Sequence, residues 1–353
     1  MLRSMYSGIS GLKVNQTKLD VIGNNIANVG TTAFKNQRIR FQDVLSQNLK
    51  FGTGASANVG GTNPSQVGLG VEVAGIDTMV SQGNMQPTGR NLDFAVDGDG
   101  YFVVARGKQE GKIEIEKDDE AKKGEVKASD GLEVHYTRDG SFGLDDLGQL
   151  LTSDGYRVLG YFPEGATIEY NDGKPSLKVN PKDQDGGAKV KTELQPLLIP
   201  DEVTVTVTGE GEGAGAGAGA EETTSKTMKI KNFSVDKNGT INAVLASNEV
   251  VAIGQIAMAS FKNPAGLTKE GKNMYSTSAS SGEALYRNSA EVDKDKSNEK
   301  GYGDIIQGRL EMSNVDLAEQ FTEMIVASRA FQANGKIITT GDEILQDLVN
   351  LKR

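Results

Sequence analysis

The chain has 353 residues, among them 44 glycines, 8 prolines, a single histidine and no cysteine or tryptophan, and it carries a formal net charge of −10. That length predicts two or three domains, and the net charge speaks against a nucleic-acid coat. The missing cysteine removes disulfides, thiolate metal sites and a cysteine nucleophile, and one histidine, His135, rules out a multi-histidine metal centre.

Residues 1–29 read as an amphipathic helix. Met5, Leu12, Leu19 and Ile26 recur every seventh residue, and Ile9 and Ile22 fill the same face. The run Gly23 to Gly30, with Asn24, Asn25 and Asn28, ends it, because Asn and Gly tolerate left-handed backbone and cap helix C-termini. Lys13, Asn15, Gln16, Lys18 and Asp20 interrupt any apolar stretch of a cleavable secretory signal, and no segment approaches the ~20 apolar residues of a membrane span. Residues 31–70 read as an extended connector: a short amphipathic piece from Arg38 to Leu49, then a Gly-, Asn-, Ser- and Thr-rich stretch to Gly70.

From Val71 the apolar pattern changes to period two, in Val71-Glu72-Val73, Leu92 to Val96 and Tyr101 to Val104. Asp97-Gly98-Asp99-Gly100 lies between the last two and predicts a hairpin turn. The oxygen ligands and closing glutamate of a calcium loop are missing. Gly107 to Glu133 holds fifteen charged residues of mixed sign and reads as a solvated insertion between strands. Strand signals resume at Tyr136 to Phe142, Leu150 to Tyr161, Glu202 to Thr208, Lys229 to Val235, Thr240 to Val244 and Val250 to Phe261. Asp236-Lys237-Asn238-Gly239 reads as a turn. Residues 209–220 alternate Gly and Ala; with no Lys-Ser/Thr and no strand-to-helix context they read as a loop rather than a phosphate cradle.

The far end repeats the pattern of the first helix. Leu310, Leu317, Met324, Phe331, Ile338 and Leu345 recur every seventh residue, accompanied by Phe321 and Leu348, and Ser313 with Asp316 reads as a capping box. The seams are imperfect, with Gln16, Ser328, Gly335 and Asp342 four residues on from heptad positions. Periodicity alone leaves two readings open: a partial coiled coil that needs further partners, or two surface helices on a globular core. Seven Lys/Arg in residues 1–50, against Asp20 and Asp43, would attract the mildly acidic residues 312–353 weakly.

The expected fold is therefore a mainly β body with helical termini, the domains nested and discontinuous. Residues 1–30 and 312–353 form the terminal helical domain, residues 71–162 and 230–311 a β domain with the insertion 107–133, and residues 163–229 an inserted outer β domain. Two helices alone leave a wide apolar stripe, so neighbouring copies must cover it, and head-to-tail contacts of that kind build open filaments. The sequence shows no nucleophile–base pair, metal ligand set or cofactor fingerprint, so neither an enzyme nor a bound cofactor is expected.

Ser4-Met5-Tyr6-Ser7-Gly8-Ile9-Ser10-Gly11-Leu12, Asn24-Asn25-Ile26-Ala27-Asn28 and Thr32-Ala33-Phe34-Lys35 together resemble the N-terminal signature of bacterial flagellar rod and hook proteins. Gln82 to Phe102 (with Gly98 and Gly100), Tyr136 to Tyr156, and Leu310 to Ala318 (with Asn314 and Asp316) continuing to Leu351 resemble the hook branch of that family. The resemblance covers more than half of the chain, in the family's order; residues 163–229 carry no familiar motif. It implies a structural protein, exported unfolded by the flagellar type III apparatus, that polymerises outside the cell into a curved hollow tube joining rod to filament. It implies a homopolymer in contact with a hook cap protein, a distal rod protein and a hook–filament junction protein, with no nucleic acid and no membrane insertion. A distal rod subunit is the alternative within the family, and a secreted β-protein that binds glycans or surfaces the alternative outside it.

Overall fold

The computed structural model describes residues 2–54, 60–108, 111–115, 126–128, 132–163, 166–171, 174–179, 193–208, 223–286 and 303–351. They form two compact units, Met1–Gly83 with Ser313–Arg353 and Asn84–Met312. The Gly/Ala run 209–220, the charged loop 290–300 and most of the insertion 107–133 lie outside the described residues.

In the first unit, helix α1 (Leu2–Ala27) packs on helix α2 (Leu317–Asn350). The expected connector is instead a two-tier β-ribbon. Strand β1 (Gln37–Asp43) pairs antiparallel with β4 (Val71–Thr78), and between them β2 (Ser46–Lys50) pairs with β3 (Ser65–Gly68). The ribbon forms because Ile39 and Phe41 meet Ile76 and Val73 across the ladder, and such apolar cross-strand pairs stabilise an antiparallel pair. The Gly- and Asn-rich stretch between β2 and β3 hid this pairing. Val71–Gly83 consequently belongs to the first unit, not to the β body.

The second unit is β throughout. Strand Thr223–Val235 pairs with Glu202–Thr208 along its first half and with Thr240–Leu245 along its second. The expected border at residue 230 thus falls inside one strand, and the described part of residues 163–229 shares a sheet with the rest of the body. The Asp236–Gly239 turn joins two paired strands as expected, with Gly239 at φ +80°.

The turn at Asp97–Gly100 is different. It links β6 (Phe94–Asp97) to β7 (Tyr101–Arg106) after β5 (Met85–Pro87), but β6 pairs with Asp304–Gln307, while β7 pairs with Glu133–Thr137, Arg157–Tyr161 and Met258–Ser260. The motif is a crossing between sheets rather than a hairpin. Gly98 and Gly100 have φ of +114° and +146°, outside the range a side chain tolerates well. Leu310 also departs from expectation. It sits in strand Arg309–Glu311 and pairs with Gln86 of β5, so the last heptad repeat starts one residue set too early to be helical throughout.

This crossing is held by a buried ion pair. Arg138 Nε donates to Glu311 Oε2 at 2.7 Å, and both side chains are fully enclosed. The guanidinium also donates to the carbonyls of Val96 and Gly98 and stacks 5.9 Å from the centre of the Tyr101 ring. Tyr101 in turn meets Phe261 and Tyr275 edge-on. Breaking a buried pair by removing one partner strands the other charge, so Glu311→Ala is expected to destabilise the second unit by about 3–5 kcal/mol in chemical unfolding. Burial pushes the Tyr275 hydroxyl up to about 12 and raises those of Tyr101, Tyr136 and Tyr286 as well. A raised phenol binds its proton more tightly in the folded state, so its contribution is complete below the unfolded value near 10 and is lost as pH rises through the folded one. Titration at 295 nm should show these tyrosines ionising late, together with loss of β structure, rather than as free phenols.

Candidate assembly interface

The two terminal helices run antiparallel in one register. Met5 lies against Gly341, Gly8 against Ile338 and Gly11 against Asn334, Lys18 forms a 3.4 Å ion pair with Glu323, and Asn25 bonds to Gln320. A β-carbon at Gly11 would sit 2.7 Å from Asn334 Nδ2, and one at Gly8 would touch Ile338 at 3.4 Å. Glycine lets the two backbones approach. One row of the α2 side repeats every seven residues as Gln320, Ala327, Asn334 and Gly341, and that row is small or polar throughout, with Ile338 beside it against Gly8.

The large apolar residues therefore do not fill this seam. Ile22 is buried, beside Val14 and Val21. Met5, Leu12, Leu19 and Ile26 are only half-buried, as are Met324, Ile338 and Leu345. Ile9, Leu317, Phe321, Phe331 and Leu348 are exposed, and so are Ile325 at 63 % and Val349 at 66 %. The expected heptads exist, but they flank the pairing face. Sequence reasoning missed the second heptad, whose small residues carry no hydrophobic signal; Gly8 and Gly11 within a helix were the sign available. At one end of the pair, Ser4, Ala333, Ile337, Thr340 and Ile344 line an open apolar groove.

The signature residues build a polar clasp where α1 passes into the ribbon. Asn25 is completely buried. Its Nδ2 donates to Gln37 O at 2.8 Å and to Gln320 Oε1 at 3.0 Å, and its Oδ1 accepts from Gln37 N at 3.0 Å. Asn28 Nδ2 donates back to the Asn24 carbonyl and closes the helix end. Asn314 accepts from Asn36 N at 2.7 Å, donates to the carbonyls of Met79 and Ser81, and its own N–H reaches Phe34 O. Lys35, also buried, donates to Ser81 O at 2.9 Å. Asp316 is the N-cap of α2, accepting from Ala318 N and Glu319 N. Ser313 lies outside the helix and accepts from Val315 N, so the expected Ser313–Asp316 box is a lone aspartate cap.

Among the described residues, no group of three or more His, Asp or Glu side chains is placed to hold a metal ion, and no helix is long and apolar enough to cross a membrane. What the arrangement does chemically is present apolar surface around a glycine seam. Gly11→Val should separate the helices by forcing a branched side chain onto Asn334, and Asn25→Ala should leave Gln37 and Gln320 unpaired at about 1–3 kcal/mol per buried group. Both are expected to lower the dissociation temperature of assembled subunits, read by light scattering, while the far-ultraviolet signal of the β unit stays unchanged.

Three family matches cover separate stretches: "Flagella basal body rod protein" over residues 5–35, "Flagellar hook protein FlgE/F/G D1 domain" over 125–243, and "Flagellar basal body rod FlgEFG protein C-terminal" over 306–351. The flagellar basal-body rod protein FlgG of Bacillus subtilis is 41 % identical, with 100 % of both chains covered. The flagellar hook protein FlgE of Borreliella burgdorferi is 32 % identical, again with 100 % of both covered. The Helicobacter pylori flagellar hook protein FlgE2 is a solved structure that aligns with 64 % of this chain and 100 % of its own, with a TM-score of 0.38 and 11 % identity. The clasp residues Asn25, Phe34 and Lys35 fall within the first of the matched stretches and Asn314 within the last. The chain belongs to the flagellar rod and hook axial proteins, structural rather than enzymatic subunits that polymerise within the flagellum.

Proposed function

We propose that the chain is the subunit of the flagellar hook, polymerising into a curved hollow tube that acts as a universal joint and transmits torque from rod to filament. The observation that carries the tube is the outward apolar face of the helix pair. Phe321, Ile325, Ile337, Ile344 and Leu348 are each 45–63 % or so exposed in the single chain, and covering the rest of such a side chain contributes roughly 1 kcal/mol. Neighbouring copies supply that cover, and a ring of helix pairs makes the inner wall of a tube. The signature stretches that resemble the hook branch support the hook; the β unit Asn84–Met312 supplies the outer layers in either reading, since the Bacillus subtilis rod protein matches over the full length of both chains. Its sheets expose mixed polar faces, which exchange contacts with water at low cost, as a bending joint requires.

A distal rod subunit is the second reading, favoured by the 41 % identity to the Bacillus subtilis rod protein. Either subunit would be exported by the flagellar type III apparatus. A hook subunit would meet a hook cap protein, the distal rod protein and a hook–filament junction protein.

The test is negative-stain electron microscopy of the purified chain under salting-out conditions, beside a version lacking residues 1–35 and 312–353. Curved tubes from the full chain and none from the truncation are expected; straight tubes would favour the rod, and a monodisperse folded chain with no tubes would sink both. Before assembly the terminal helices should be largely unfolded, because isolated helices have little stability without packing. Hydrogen exchange is expected to show rapid exchange in residues 2–27 and 317–350 of the monomer and protection in the tube.

A further inference from the structure

The seam between α1 and α2 has an unusual property. Because α2 presents Gln320, Ala327, Asn334 and Gly341 at successive heptads, Gly11 meets a small or short polar residue in the observed register and in each register displaced by one heptad. Its partner is Asn334 as observed, and Ala327 or Gly341 after displacement. Steric fit at Gly11 therefore does not choose among the three, and Gly8, against Ile338 as observed, would meet Phe331 or Leu345, a large apolar side chain in every register. Asn25 does distinguish them. In the observed register it is completely buried and its amide bonds to Gln320, which is itself 5 % exposed. Displacement would put Ala327 or Ser313 opposite Asn25, and neither restores an amide pair. Asn25 is also fixed from the other side, since both the N–H and the C=O of Gln37 bond to it, so it is tied to β1 as well as to its own helix.

We propose that Asn25 and Gln320 are positioning residues that set the axial register of the two terminal helices, while the glycine seam supplies closeness without register. A buried polar pair in a helix seam selects alignment in this way because every other alignment leaves its groups desolvated and unpaired. Together with the Asn314 clasp at the start of α2, the pair thus fixes how far α2 is advanced along α1, and with it which apolar residues each subunit offers to its neighbours at a given height. The inference concerns the assembled state and rests on the tube reading only for its readout: parent protein that forms no tubes would defeat that reading, whereas the register result is read inside tubes.

The absence of cysteine makes the test direct. Met5→Cys with Gly341→Cys reports the observed register; Met5→Cys with Leu348→Cys and Met5→Cys with Asn334→Cys report displacement by one heptad in either direction. Each pair is introduced into the parent chain and into Gln320→Leu, doped as a minor component into parent tubes, oxidised, and scored for intramolecular cross-links by peptide mass spectrometry. In the parent background only the Met5–Gly341 pair should close. In Gln320→Leu at least one displaced pair should rise by about tenfold or more, and Gln320→Asn, which keeps an amide, should move back toward the parent pattern. Gln320→Leu tubes that close only the observed pair would overturn the proposal. Displaced pairs that close equally in Gln320→Leu and Gln320→Asn tubes would overturn it too, because the amide is what is proposed to set the register.

Discussion

The close approach of α1 and α2 is the constraint on which the terminal unit depends. Glycines at positions 8 and 11 remove side chains from the line of contact, and the facing heptad is small or polar. Ile338 fits against Gly8 and Ile22 is buried, but most of the large apolar side chains have no room between the two backbones. Those residues are displaced to the flanks of the pair, where a single chain leaves them in water. An ordinary two-helix unit would bury its largest side chains first. This one reserves them, so that the free energy of covering apolar surface is released only when copies associate. Self-association thereby becomes part of the folding of the termini.

The second unit is stabilised differently. It has its own apolar core, with Phe94, Phe102, Leu159 and Ile253 fully enclosed, and a buried ion pair that draws residues far apart in sequence to one point. Arg138 gathers the carbonyls of Val96 and Gly98, the carboxylate of Glu311 and the face of Tyr101. A charge in that position is tolerated because Nε meets the Glu311 carboxylate and Nη2 meets two backbone carbonyls. The division of labour follows: a body able to fold alone, and ends that complete themselves against neighbours. Polymerisation then needs no change within the body.

Much of this was legible in the chain, and the misses have physical causes. Helical ends around a β interior followed from the change of apolar period at Val71, and the axial family from the stretches around Asn24–Asn28, Phe34 and Asn314. The alternation at Val71–Thr78 was visible, but its pairing with Gln37–Asp43 was not, because a Gly-, Asn- and Ser-rich stretch separates the two strands in the chain. The Asp97–Gly100 turn has hairpin residues but serves a crossing, since Arg138 and the strand at Asp304–Gln307 decide where β6 goes. The pairing face of α2 was misjudged for a related reason. Hydrophobic periodicity finds the stripe with most apolar area, and in an assembling subunit that stripe belongs partly to the neighbours. Asn25 and Gln320 are adjacent only in three dimensions, 295 residues apart in the chain.

That separation bears on the order of events during folding. Bringing Asn25 to Gln320 in an unfolded chain closes a very long loop. Once the body has formed, Met312 N donates to Asn84 O at 2.9 Å and Glu311 pairs with Met85, so the points where the chain enters and leaves the body are already side by side. The loop left to close is then the stretch from Asn25 to Asn84 and that from Met312 to Gln320, which lowers its entropic cost by roughly 1 kcal/mol on a logarithmic length dependence. The β body acts as a buckle: with strand β5 closed on Arg309–Glu311, Asn25 and Gln320 meet across a shorter loop.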